Sequence, residues 1–405
     1  MSVCIYDISH CSEQEYIRIM HAMNVHQDGI TIMTPRTRNT VLRIKSVDTR
    51  AALILKQEAL SSGAEAAVSA QVMNLHSGTT DVLLMGRHDT LMEVTEKCRR
   101  QPFGLPRISD AVACCLKRRI SAPIPYNGGV LDYSEHPLIM GILNCTPDSF
   151  YDGGKYPDTE SLVAHGMNLV AAGADIIDIG GASSRPGADD ISAEEEIRRV
   201  VPVIENITKN CTVPISIDTM KAKVARAAVA AGASIINDIS ALYHDPAMAR
   251  VAAETHSPVI LMHMKGTPQT MQKSPNYTDV VDEIALFLSN AASHALQAGI
   301  ARDRIILDPG IGFGKTVQQN YTLLRNTPVF KSLGFPLLIG VSNKSLIGAV
   351  LNTPVHKRTA GTMVLNALSL CGGADIIRTH DVQAAQDTIA LVDAYTTVDI
   401  SHKYE

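Results

Sequence analysis

From residue 137 onward the chain repeats one beat: a short apolar run, a turn, an amphipathic helix, then another apolar run. The runs are "PLIMGILN" (137–144), "ADIIDIG" (174–180), "VPISID" (213–218), "ASIIND" (233–238), "PVILMH" (258–263), "RIILD" (304–308), "PLLIGVS" (336–342) and "ADIIRTH" (374–380). Each is rich in isoleucine, leucine and valine without polar alternation, which predicts strands covered on both faces. Between them, stretches such as "SAEEEIRRVVPVIENITKN" and "TDVVDEIALFLSNAASHALQAG" carry helical spacing, the second closed by Gly299. Eight strand–helix units in about 265 residues match the size of a (β/α)8 barrel, although a doubly wound open sheet alternates in the same way. The polar residues separate the two. Nearly every run ends in one: Asn144, Asp178, Asp218, Asn237, His263, Asp308, Ser342, and Arg378 with His380. Core strands do not end so consistently in polar side chains. A closed barrel gathers all those ends into one ring, on the side where active sites of that fold lie. The expected fold class is α/β, with a (β/α)8 TIM barrel over residues 137–400.

Residues 1–120 lack this beat. "NTVLRIKSV" (39–47), "AEAAVSAQV" (64–72) and "TTDVLLMG" (79–86) read as strands, and "DTRAALILKQEALSSG" (48–63) and "DTLMEVTEKCRRQPFG" (89–104) as helices. The order β-α-β-β-α predicts a small α+β domain ahead of the barrel, and no chemistry is assigned to it. "CRRQPFGLPRI" (98–108) reads as a basic, turn-rich connector. Residues 121–136, with Pro123, Pro125, Gly128 and Gly129, read as a linker.

Composition excludes several classes. Hydrophobic residues make up 45% of the 405 and charged residues 19%, a globular balance rather than a disordered one. Net charge is −5; the first 120 residues carry 15 basic against 12 acidic side chains and the remainder 21 against 29, so nothing argues for a nucleic-acid partner. No apolar run approaches a membrane span and no basic-then-apolar leader opens the chain, so the expectation is a cytoplasmic protein without a membrane partner. The eight cysteines form no C-x-x-C pair and read mainly as reduced core thiols.

"LDPGIGFGKT" (307–316) has the look of a nucleotide-binding loop but not the spacing. A P-loop needs glycine, four residues, then Gly-Lys-Ser/Thr, and the residue five before Gly314 is Pro309. The dinucleotide fingerprint fails as well, because Lys315 stands where its last glycine belongs.

The strand ends carry the chemistry. Asp178, Asp218 and Asp308 would each cost roughly several kcal/mol if buried unpaired, so they need donor-rich partners. A flat heterocycle with amino and ring N–H groups is one such partner, held by bidentate hydrogen bonds. Pairing with Lys344, or capping of the next helix as "DTMKAKVARA" would allow for Asp218, is the competing reading. Arg378 and His380 end the last strand, in the usual phosphate region of such barrels, and Arg offers a planar fork to phosphate oxygens. Asn144 offers an oxygen to a Mg2+–phosphate cluster, since magnesium takes few protein ligands. The loops at 145–156 and 180–190 are long for βα turns and read as lids, placing Ser184 and Arg185 over the mouth.

In order and spacing, "ILNCTPDSFYDGG", "DIGGASSRPGA", "PISIDTMK", "IINDISA", "MHMKGTPQTMQ", "LDPGIGFGKT", "GVSNKSLIG" and "RTHDV" resemble the dihydropteroate synthase family, over roughly residues 137–395. The resemblance implies condensation of 6-hydroxymethyl-7,8-dihydropterin diphosphate with 4-aminobenzoate, giving 7,8-dihydropteroate and pyrophosphate in folate synthesis. It implies a pterin site of Asp218, Asn237, Asp308, Phe313 and Lys344, and an aminobenzoate site of Ser184, Arg185 and Pro186. Asn144, Arg378 and His380 would bind the diphosphate, with Asn144 also serving the Mg2+ cofactor. The catalytic set is then Asp218, Asp308, Lys344, Arg378 and His380, in a homodimer.

The implied mechanism is dissociative: the bond to diphosphate breaks first, and the amine attacks a pterin methylene cation. No covalent nucleophile is needed, so Cys145 is expected to be inert. The chain departs from the family pattern at Cys145 (usually valine), Ala182 (glutamate), Ser184 (threonine), Asn343 (arginine) and Thr379 (valine). These touch the amine side more than the pterin side. Two rival readings are a corrinoid-linked, pterin-binding methyltransferase and a non-catalytic pterin-binding protein. Arg378, His380 and the "SSRPG" lid speak against the methyltransferase, which has no use for a pyrophosphate site.

Overall fold

The computed structural model describes residues 17, 20–21, 23, 25–34, 39–70, 72, 78–116, 122–146, 158–183, 191–266, 271 and 275–397. The chain divides into two compact units, Met1–Arg119 and Ile120–Glu405.

The first unit contains helix α1 (Gln27–Met33), strand β1 (Asn39–Asp48), α2 (Thr49–Ser61), β2 (Glu65–Val68), β3 (Thr79–Arg87), α3 (His88–Cys98) and α4 (Leu105–Leu116). Its sheet has the order β1-β3-β2, with β3 antiparallel to both neighbours. Val82 and Leu84 alternate inward from β3 onto Ala51 and Leu55 of α2 and Leu91 and Val94 of α3, forming a core of its own. Asp48 starts α2 by accepting from the Arg50 N–H at 2.9 Å, satisfying one orphan donor of the first turn. The stretch expected to be a connector, 98–108, is only partly one. The chain turns at Phe103 and Gly104, both with positive φ, and α4 begins at Leu105. Pro106 obscures that start in the sequence, yet proline is tolerated in a first helical turn because no N–H is needed there.

In the second unit eight parallel strands follow in chain order: β6 (Leu138–Asn144), β7 (Ile176–Gly180), β8 (Ile215–Asp218), β9 (Ile235–Asp238), β10 (Val259–Met262), β11 (Ile305–Asp308), β12 (Leu338–Ile339) and β13 (Ile376–Thr379). They run β11-β10-β9-β8-β7-β6-β13-β12 around the sheet. A parallel bridge between Leu307 and Leu337 joins the remaining pair, with the Leu307 N–H donating to the Pro336 carbonyl at 2.9 Å. The barrel is therefore closed, as the polar strand ends required.

Helices α5 (Thr159–Ala171), α6 (Ala193–Asn210), α7 (Ala222–Ala230), α8 (Met248–Thr255), α9 (Val280–Gln297), α10 (Val317–Arg325), α11 (Thr327–Lys331), α12 (Ser345–Leu351), α13 (Thr359–Cys371) and α14 (Val382–Thr397) fill the connections. Their starts are written locally. Ser192 caps α6, Asp279 caps α9, and Thr316 forms a capping box with Gln319 at α10. The threonine of the nucleotide-loop look-alike is thus a helix cap.

Strand alternation produces two cores. Ile139, Leu143, Ile177, Ile179, Ile217 and Ile236 point outward onto the helices. Met140, Ile176, Ile235, Ile260, Ile306 and Ile376 point inward, and Ile124, Leu131 and Tyr133 pack among them. Those last three come from or just after a hairpin, β4 (Ile124–Tyr126) and β5 (Gly129–Leu131). Residues 124–133 of the segment 121–136, expected to be a linker, therefore plug the N-terminal end of the barrel. Its prolines and glycines signal turns equally well in a tight hairpin, and only burial distinguishes the two.

Candidate active site

The same alternation lifts polar residues above that inner apolar floor. On β7, Ile176 points inward and Asp178 is the next inward position; Ile235 is followed by Asn237, Ile306 by Asp308, and Ile376 by Arg378. Strand register then brings neighbours level: Asp178 pairs with Ser216, and Asp218 with Asn237.

Four of these residues form one network. Arg378 donates through Nε to Asp178 Oδ2 at 2.6 Å and through Nη2 to Asp218 Oδ2 at 2.9 Å. The Asn237 amide donates to the same Asp178 oxygen at 3.2 Å. Asp178 is fully buried, and its second oxygen, Oδ1, has no hydrogen-bond partner among the described residues. Burial and the neighbouring Asp178 push the Asp218 carboxyl up to about 7, against the pull of Arg378. One guanidinium is shared between two desolvated acids, so burial favours the protonated form of Asp218. Asp218 does not cap α7: Lys221 there supplies no side-chain cap, and Asp245 accepts the Ala222 N–H at 2.9 Å instead.

Asp308 organises a second cluster. Its Oδ1 accepts the Gly310 N–H at 2.7 Å, and burial raises its pKa while Lys344 lowers it. Burial in turn brings Lys344 down to about 8, opposed by Asp308. The Lys344 ammonium donates to the Ile311 carbonyl and lies 4.8 Å from the centre of the Phe313 ring. Gly310 has φ +68, and a Cβ there would lie 2.0 Å from the His263 carbonyl oxygen. Only glycine fits where the chain leaves β11 this close to the exit of β10.

Rim positions complete the ring. Asn144 ends β6, and a Cβ added at Gly180 would lie 3.9 Å from both the Asn144 Oδ1 and the Asp218 Oδ2 atoms. His380 Nδ1 lies 3.0 Å from Ser342 Oγ, which also accepts the His380 N–H at 3.2 Å. Cys145 is buried, and burial pushes its thiol up to about 12, so no thiolate is available. Ser184, Arg185 and Pro186 lie outside the described residues, as do most of the two expected lids.

The structure thus assembles Asn144, Asp218, Asn237, Asp308, Phe313, Lys344, Arg378 and His380 at one end of the barrel. Sequence reasoning placed Asp178 and His263 among the polar strand ends but gave neither a role in the site, and it used Lys315 only to exclude a dinucleotide loop. The available signal was a lysine set in a glycine-rich loop whose spacing fits no phosphate-binding motif.

A closed (β/α)8 barrel whose mouth gathers acids, an amide and two cations has the donors and acceptors that an enzyme binding a planar, nitrogen-rich ring would need. Residues 140–380 match the family model described as pterin binding enzyme. A dihydropteroate synthase of Synechocystis sp. is 46% identical over 273 residues, spanning 67% of this chain and 94% of that protein. A solved dihydropteroate synthase from Xanthomonas albilineans, in complex with 7,8-dihydropteroate, superposes with a TM-score of 0.62 at 40% identity, covering 68% of this chain and all of that one. A Halobacterium salinarum protein described as a probable bifunctional folylpolyglutamate synthase/dihydropteroate synthase matches further, 41% identical over 375 residues, 92% of this chain and 45% of that protein. The chain belongs to the dihydropteroate synthase family of pterin-binding enzymes, transferases of folate biosynthesis.

Proposed function

We propose that the barrel mouth condenses 6-hydroxymethyl-7,8-dihydropterin diphosphate with 4-aminobenzoate, with its residues dividing the work by charge. Asp308 takes the pterin's amino and ring N–H edge, Asp218 and Asn237 take other ring nitrogens, and Lys344 donates to the carbonyl. Phe313 borders the ring. The observation that carries this reading is the shared ring of strand ends, in which Arg378 donates to both Asp178 and Asp218, and Asn237 donates to Asp178, beside the Asp308–Lys344 cluster.

The methylene C–O bond breaks with its electron pair leaving on pyrophosphate, and the carboxylates Asp218 and Asp308 stabilise the positive methylene that remains. The amine nitrogen then bonds to that carbon and loses a proton. Arg378 and His380 stabilise charge on the departing diphosphate as fixed donors. Asp178 and Asp218 hold the Arg378 guanidinium in one plane, so little reorganisation is required when the leaving group departs. Ser184, Arg185 and Pro186 are assigned to the aminobenzoate and to the exclusion of water.

Magnesium suits the rim. Gly180 leaves open a space bordered by the Asn144 amide oxygen and the Asp218 carboxylate, oxygen donors of the kind Mg2+ prefers. No group of three His, Cys, Asp or Glu among the described residues makes a cage, which is consistent with a metal that draws most ligands from water and phosphate. When bound it neutralises charge on pyrophosphate. Val364 and Leu368 of α13 and Leu391 and Tyr395 of the adjacent α14 are exposed and support a homodimer. No helix among the described residues is long and apolar enough to cross a membrane, and the assigned location is cytoplasmic.

The test is pyrophosphate release on addition of both substrates, run on the full chain and on residues 121–405. Release that depends on 4-aminobenzoate supports the reading. Binding of the pterin diphosphate without release would reassign the protein as a pterin binder.

A further inference from the structure

Lys315 is a buried lysine for which the reaction as described has no use. It is 3% exposed, yet its ammonium donates to the Gly310 carbonyl at 2.7 Å and the Phe313 carbonyl at 2.8 Å. The same nitrogen lies 3.1 Å from His263 Nδ1 and 3.3 Å from the His263 carbonyl. Burying a cation is costly, and methionine would fill the same volume without that cost. Every one of these partners borders the pterin site: Gly310 and Phe313 lie in the loop after β11, and His263 directly follows β10.

Gly310 is gripped from both sides, its N–H by Asp308 Oδ1 and its carbonyl by Lys315. Phe313 is held through its carbonyl by Lys315, while Lys344 approaches the face of its ring. On the β10 side the loop packs closely: a Cβ at Gly310 would lie 2.0 Å from the His263 carbonyl oxygen, and one at Gly314 2.8 Å from that of Lys265. Its far end is pinned where Thr316 caps α10.

We propose that Lys315 is a positioning residue for pterin recognition, drawing the loop's carbonyls together so that Asp308, Phe313 and Lys344 present a fixed edge to the ring. The inference rests on the pterin-site reading above. It separates the lysine from its appearance in a nucleotide-loop sequence: the side chain turns inward to organise protein carbonyls, not outward to a phosphate.

The test uses full-length Lys315→Met and Lys315→Gln beside the wild type. Thermal unfolding is followed, and KM is measured separately for the pterin diphosphate and for 4-aminobenzoate. Expected are cooperative unfolding in both variants, a rise of about tenfold or more in KM for the pterin diphosphate in the methionine variant, and a KM for 4-aminobenzoate within about twofold of wild type. The glutamine variant, which keeps donor hydrogens, recovers part of the loss. An unchanged pterin KM overturns the proposal. So do parallel rises in both KM values, or loss of the cooperative transition in both variants, since either marks a packing role. A wild-type enzyme that does not bind the pterin diphosphate overturns the site reading itself, and this inference with it.

Discussion

Arg378 and Asp178, 200 residues apart in the chain, meet at 2.6 Å inside the barrel. The carboxylate is wholly buried and the guanidinium about four-fifths so, and the same cation also reaches Asp218. Removing the arginine would leave two acids desolvated without a counter-charge.

Arg378→Ala should therefore cost stability as well as catalysis. Breaking a buried pair in this way is expected to lower unfolding free energy by about 3–5 kcal/mol, measured by urea denaturation. Turnover should fall at least about tenfold, because a fixed cation is lost from the leaving group. Adding Asp178→Asn should restore part of the stability and none of the turnover. Full recovery of turnover in the double variant would remove Arg378 from its assigned role.

Asp308→Asn should raise KM for the pterin diphosphate and lower kcat/KM by about tenfold or more, in keeping with loss of a charged hydrogen-bond acceptor. The amide still accepts from Gly310, so the loop and the unfolding midpoint should change little. A normal pterin KM in this variant would place ring recognition elsewhere.

The pH dependence follows from shifted groups that must each hold one charge state: Asp218 and Lys344, with Asp308, which burial also raises, adding to the acid side. Asp218, raised to about 7, must lose its proton to accept from the pterin, so kcat/KM for that substrate should rise with pH through about 7. Lys344, lowered to about 8, must keep its proton to donate, so the same quantity should fall above about 8. The profile is a narrow bell. Asp218→Asn should remove its acid limb, and an acid limb left in place would assign that ionisation to another group.

Cys145→Val should keep activity within about twofold and change stability by less than about 1.5 kcal/mol, as a small apolar exchange does. Its buried, protonated thiol should also resist alkylation in the folded enzyme. Peptide mapping after iodoacetamide checks this, and rapid modification with inactivation would give the residue a role that the geometry denies it.

A chain beginning at residue 121 keeps Ile124, Leu131 and Tyr133 against the barrel floor, whereas one beginning at 137 uncovers that floor. The shorter chain should be destabilised by several kcal/mol, at about 2–5 kcal/mol for each large apolar side chain lost. Circular dichroism melting distinguishes them, and equal melting temperatures would mean the hairpin adds nothing.

Much of this was legible beforehand. Unbroken aliphatic runs such as "ADIIDIG" announced strands covered on both sides, and the polar residue ending each one announced a shared mouth. Asp308 and Arg378 could be placed there because a strand's direction and its two-residue period follow from local covalent geometry, whereas Lys344 came only from the family resemblance. The hairpin and α4 were misread for an equally local reason: proline and glycine mark turns without saying what the turn is packed against.

What the sequence by itself determined is the set of strands, their direction and the chemical character of their ends. Only the tertiary structure decided which ends touch. That Arg378 lies between Asp178 and Asp218, that Lys315 turns inward to Gly310 and Phe313, and that a hairpin seals the barrel floor all depend on closure, which joins segments far apart in the chain. Pairing across such distances is set by register and burial summed over the whole barrel, and no local stretch of residues carries that sum.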